Sequence, residues 1–128
     1  MNITITHAAL YVSDLERSKE FYTKYFHGIA NEKYVNQKGF SSYFISFSSG
    51  ARLEIMAHRE LENRVKGDLV SGYHHIAFSV GSRENVLALT ERLVGDGYEL
   101  LSGPRETGDR YFESCIADPD GNRVEITE

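Results

Sequence analysis

The chain has 128 residues, with 14 lysines and arginines against 19 aspartates and glutamates, for a net charge of −5. That length suits one domain over 1–128 and excludes a multidomain machine, and the acidic balance excludes the basic face of a nucleic-acid binder. No apolar run approaches the ~20 residues of a membrane span, Met1 to Thr6 lacks the build of a secretion signal, and the lone Cys115 offers no disulfide framework. A small, soluble protein of the reducing cytoplasm is the expectation.

Taken in chain order, Ile3 to Val12 alternates like a strand. Ser13 with Glu16 three places on reads as a capping box, and Leu15, Tyr22, Tyr25 and Phe26 then keep to one helix face. Gly39 to Phe47 and Gly50 to Met56 form a hairpin turning at Ser48-Ser49-Gly50. Residues 58–71 are polar and charged, the expected connector between modules at 1–57 and 72–128. Tyr73 to Val80 is strand-like again. Ser82 caps a second helix carrying Val86, Leu89 and Leu93, with Gly95 at its stop. Asp109 to Ala117 and Asn122 to Thr127 close the chain as a hairpin around Asp118-Pro119-Asp120-Gly121, whose Pro and Gly suit a tight turn.

The two modules repeat one another. His7-Ala8-Ala9-Leu10-Tyr11-Val12 lies on His75-Ile76-Ala77-Phe78-Ser79-Val80 at an offset of about 68 residues, matching His, Ala and Val. Gly50-Ala51-Arg52-Leu53-Glu54-Ile55 lies on Gly121-Asn122-Arg123-Val124-Glu125-Ile126, matching Gly, Arg, Glu and Ile. The fold class is therefore α+β, two tandem βαβββ modules.

Alternation along strands assigns the faces. Ala8, Leu10 and Val12, like Ile76, Phe78 and Val80, form apolar faces that pack under a helix. His7, Ala9 and Tyr11, like His75, Ala77 and Ser79, line the opposite face. In the closing strands Leu53 and Ile55 face one way, with Arg52, Glu54 and Met56 on the other. Val124 and Ile126 are opposed in the same manner to Arg123, Glu125 and Thr127. A carboxylate flanked by apolar residues is costly unless paired or bound to a cation. Two carboxylates and two histidines at equivalent places share one solution, a divalent metal ion with mixed N and O ligands. The bland alternative is a pair of hydrogen-bonded His and Glu contacts in a duplicated scaffold. His74 falls on the other face, His27 ends a helix, and Cys115 reads as a small buried side chain.

At this point the sequence resembles the vicinal-oxygen-chelate superfamily, which includes glyoxalases, bleomycin-resistance proteins and extradiol dioxygenases. The resemblance spans essentially the whole chain. It rests on His7, Asp14-Leu15-Glu16-Arg17-Ser18, Phe21-Tyr22, Leu53-Glu54-Ile55, His75-Ile76-Ala77-Phe78 and the run from Asp118 to Glu125. Short bacterial glyoxalase I-like (lactoylglutathione lyase-like) proteins look most similar. The resemblance implies a cupped eight-stranded sheet and a homodimer. It also implies metal ligands at His7, Glu54, His75 and Glu125, nickel or cobalt as the favoured metal with zinc, manganese and iron open, and Glu125 as base with Glu54 as its partner. The implied reaction is proton transfer in a hemithioacetal or a related vicinal-oxygen substrate, with a thiol cosubstrate. Alternatives on the same scaffold are a thiol transferase for antibiotic resistance, a dioxygenase or a small-molecule binding protein. Tyr11, Met56 and His58 are the expected pocket residues. Tyr11 stands where glutathione-using members commonly carry an Arg, and His58 where they commonly carry an Asn. A Tyr cannot reproduce the bidentate contact of an Arg with a carboxylate.

Overall fold

A computed structural model describes residues 1–63 and 67–128, which fall into two compact units on either side of 64–66. Residues 64–66 of the expected connector lie outside the described residues. The first unit contains β1 (His7–Tyr11), α1 (Leu15–Phe26), β2 (Ile29–Ala30), β3 (Tyr34–Val35), β4 (Phe40–Ser46) and β5 (Arg52–His58). Its sheet runs β1-β5-β4-β2, with β3 also on β4. The second unit contains β6 (His75–Ser79), α2 (Arg83–Gly95), β7 (Leu100–Glu106), β8 (Phe112–Ala117) and β9 (Arg123–Thr127), in sheet order β6-β9-β8-β7. The α+β class and the repeated plan stand. The first unit spreads its second strand over two short pieces, so the described residues hold nine strands where eight were expected.

Each helix forms because its cap and its apolar spacing agree. Asp14, not Ser13, caps α1, its side chain accepting from the Arg17 N–H at 3.0 Å. Ser13 instead accepts from the Arg17 guanidinium, while Glu16 accepts from the Tyr43 hydroxyl at 2.9 Å and pairs with Lys33 at 3.2 Å. The expected capping box is thus replaced by a single aspartate cap. Helix α1 ends at His27, which is left-handed (φ 55°), and the next N–H, of Gly28, bonds back to the Tyr22 carbonyl. Ser82 caps α2 as expected. Gly95 is the last helical residue rather than the stop, and Gly97 takes the left-handed turn (φ 96°).

The buried face of α1 (Leu15, Phe21, Tyr22, Tyr25, Phe26) covers Tyr43, Ile45, Leu53 and Ile55 of β4 and β5. In the second unit Val86 and Leu93 cover Ile116, Val124 and Ile126. Each fully buried aliphatic or aromatic side chain contributes about 1.5–3 kcal/mol. Thr90 donates to the Val86 carbonyl, so the buried Ser114 hydroxyl donates to Thr90 at 2.7 Å and neither is left unpaired. The β8–β9 turn is closed by Asp118, whose carboxylate accepts from the backbone N–H groups of Asp120 and Asn122 at 2.9 and 2.8 Å. With each helix on one face, the other face of each sheet stays open within its unit.

Candidate metal and substrate site

The open faces carry the residues that alternation assigned to them. Strand β1 is parallel to β5 with His7 opposite Arg52, Ala9 opposite Glu54 and Tyr11 opposite Met56. Strand β6 is parallel to β9 with His75 opposite Arg123, Ala77 opposite Glu125 and Ser79 opposite Thr127. The ladder registers therefore coincide: His across from Arg, Ala across from Glu. Each histidine meets its glutamate diagonally. His7 Nε2 lies 3.9 Å from Glu54 Oε1, and His75 Nε2 lies 3.2 Å from Glu125 Oε2.

In both units the other ring nitrogen is occupied. His7 Nδ1 is 2.9 Å from the Thr6 hydroxyl, and His75 Nδ1 is 2.9 Å from His74 Nδ1. A neutral ring that donates through Nδ1 keeps its Nε2 lone pair free, which is the form that binds a metal. His74 lies just before β6 and fixes the ring beside it. Sequence reasoning missed that role; the His74-His75 dipeptide was its only signal.

The donor pairs fit a divalent ion. Two donors about 2.1 Å from a metal are about 3.0 Å apart at right angles and about 4.2 Å apart when opposed, and both observed separations fall inside that range. Each unit supplies one nitrogen and one oxygen donor. Among the described residues no group of three or more His, Cys, Asp or Glu gathers at one point. Neither pair completes a metal site by itself.

The surroundings of the pairs differ. Glu54 lies opposite Phe44 of β4, and the Phe44 ring meets the His7 ring edge-on with centroids 5.2 Å apart. Glu125 lies opposite Cys115 of β8. Cys115 is buried, as expected, and burial pushes its thiol up, so it stays protonated at neutral pH. Glu113, one step along β8 on the same face, also belongs to this neighbourhood. Burial, then the nearby Glu125 charge, pushes its carboxyl up. Alternation along Phe112 to Ala117 places Glu113 on that face, but only the β8–β9 register brings it near Glu125.

The expected pocket residues line up on the first unit's open face. Met56 follows Glu54 on β5 with the half-exposed Tyr11 beside it, and His58 comes next, opposite Phe40, its Nδ1 accepting from the Glu60 N–H at 3.1 Å. Strand β5 runs through His58, where the connector was expected to begin.

The family model for the Glyoxalase/Bleomycin resistance protein/Dioxygenase superfamily matches residues 4–126. The chain belongs to that superfamily. A 33% identical relative is YqjT of Bacillus subtilis (strain 168), an uncharacterized protein, matched over 94% of each chain. Among solved structures, a superfamily domain from Frankia sp. EAN1pec superposes with a TM-score of 0.84 at 20% identity, covering 99% of this chain and 98% of that one. The trypanothione-dependent glyoxalase I of Leishmania major superposes with a TM-score of 0.79 at 20% identity, covering 99% and 87%. At such identity these two structures share the superfamily fold with this chain. No helix among the described residues is long and apolar enough to cross a membrane.

Proposed function

We propose that the protein is a metal-dependent isomerase of the glyoxalase I type, converting a hemithioacetal to a 2-hydroxyacyl thioester. The observation that carries this reading is the recurrence of one His–Glu diagonal, in one ladder register, in both units. His7, Glu54, His75 and Glu125 would hold one divalent ion per chain, nickel or cobalt first. When bound, such an ion supplies Lewis-acid stabilisation of the negative charge that develops on the substrate oxygens.

The chain's own groups then move one proton. The carbon bearing sulfur loses its proton to Glu125, and the electron pair passes to the neighbouring carbonyl oxygen, giving an enediolate. Glu125 returns the proton to the neighbouring carbon while the first carbon's hydroxyl becomes the thioester carbonyl. Its proton ends on the second oxygen, so no oxidant or reductant is consumed. A carboxylate suits both halves of the task because it accepts and gives back the same proton. Tyr11, Met56 and His58 would line the substrate's path on the first unit's face. A homodimer, as the resemblance implies, is the proposed working form.

Elemental analysis of the purified protein, then turnover of methylglyoxal with a panel of thiols, tests the reading. One ion per chain is expected, with isomerase activity for at least one thiol. Assayed at saturating metal, so that the weaker amide-oxygen ligand is still occupied, Glu125→Gln should lose about 10²–10⁴-fold in kcat. A metal-loaded Glu125→Gln protein with full turnover would overturn the assignment.

A further inference from the structure

The repeat gives each unit an arginine at the same ladder position, opposite its histidine: Arg52 opposite His7 and Arg123 opposite His75. Their circumstances are unequal. Arg123 is ion-paired with Asp68, and that partner raises the guanidinium's hold on its proton. Arg52 has no such neutralisation: among the described residues no carboxylate forms an ion pair with it. It is exposed, and its guanidinium sits over the Phe44 ring, 4.3 Å from the centroid. That ring is the one that packs against His7. A guanidinium held over a ring by a cation–π contact still has N–H donors for another partner, and those donors match a planar oxyanion. The contact also limits the entropy lost on binding, because the long side chain is already held.

We infer that Arg52 is an anion-recognition residue, taking a carboxylate of the substrate or of its thiol portion beside the His7–Glu54 pair. This rests on the proposed function for the identity of His7 and Glu54 as ligands, not for the anion binding itself. Tyr11 cannot supply bidentate recognition, whereas Arg52, on the neighbouring strand and the same face, can. The duplicated chain thus keeps one arginine neutralised and one available.

Binding and turnover test this separately. In the binding arm, metal-free protein is titrated with 3-(methylthio)propionate and with its neutral amide, following the Arg52 Nε–Hε and Phe44 amide resonances. The carboxylate should bind at least about tenfold more tightly than the amide. Arg52→Gln should abolish that preference, Arg52→Lys should retain part of it, and Arg123→Gln should leave it intact. In the turnover arm, the methylglyoxal hemithioacetal of 3-mercaptopropionate should show a KM at least tenfold below that of 2-mercaptoethanol. Arg52→Gln should erase the difference. Equal affinity for the two thioethers, or a preference that survives in Arg52→Gln, overturns the inference. Carboxylate preference without turnover of any thiol keeps the inference and sinks the isomerase reading.

Discussion

His75 Nε2 stands 3.2 Å from Glu125 Oε2, although the residue directly opposite Glu125 on the ladder is Ala77. The His7–Glu54 contact is built the same way across Ala9, at 3.9 Å. The small alanine side chains leave room for each diagonal. If one ion is shared by the two pairs, His7→Ala and His75→Ala should each remove nearly all bound metal, to below about one tenth of an ion per chain. Independent sites would leave about half in each variant. Elemental analysis after dialysis distinguishes the two outcomes, since loss of a ligand typically exceeds the 10–100-fold affinity cost seen for residues that merely orient one.

The cap of α1 yields a second contrast. Asp14 satisfies the Arg17 N–H, while Ser13 touches only the Arg17 side chain on the surface. Asp14→Ala should cost about 1 kcal/mol in chemical denaturation and Ser13→Ala less than about 0.5 kcal/mol. A larger loss for Ser13→Ala would place the cap at Ser13 instead.

The exit of α1 is tight. A Cβ on Gly28 would overlap Ile45 Cγ2 and come within 3.0 Å of Phe47 and 3.1 Å of the Tyr22 carbonyl oxygen. The Ile45 methyl belongs to a stiff, buried, β-branched side chain and cannot swing away. Gly28→Ala should therefore destabilise by about 1–3 kcal/mol. His27→Gly, by contrast, relieves a left-handed residue (φ 55°) and should be neutral or stabilising by up to about 1 kcal/mol. Both are read from denaturation midpoints.

Acid stability should depend on Tyr43. Its hydroxyl donates to Glu16, and that hydrogen bond, followed by Lys33, holds the Glu16 carboxyl below its ordinary value of 4.5. A carboxyl depressed in the folded state contributes stability that is present above the unfolded value and is lost as pH falls through the folded one. Tyr43→Phe should thus be less stable than the parent at pH 7, with the gap narrowing steadily below about pH 4.5. A gap unchanged down to pH 3 would assign the loss to packing alone.

The shared face and equivalent places of His7 with Glu54 and of His75 with Glu125 were legible in the sequence, because strand alternation fixes the face and the repeat fixes equivalence; neither needs tertiary knowledge. The helices were equally plain from their apolar spacing. Strands β2 and β3 were not, since Ile29–Ala30 and Tyr34–Val35 are two residues each and exist only through their pairing with β4. Strand β7 contains Gly103-Pro104 and two register shifts, features that read as a loop. The alternation from Ile3 promised a longer β1, yet β5 begins only at Arg52. Its N–H bonds the Thr6 carbonyl, and no β5 residue lies further upstream to extend the ladder. Arg52 and Arg123 are indistinguishable by sequence pattern; the Asp68 ion pair separates them, and it lies in a segment with no counterpart in the repeat.

Carrying two versions of one strand pair on a single polypeptide guarantees them in equal number, whatever the level of synthesis. It also frees each position to drift alone. Phe44 in one copy answers Cys115 in the other, and an unshielded arginine answers a shielded one.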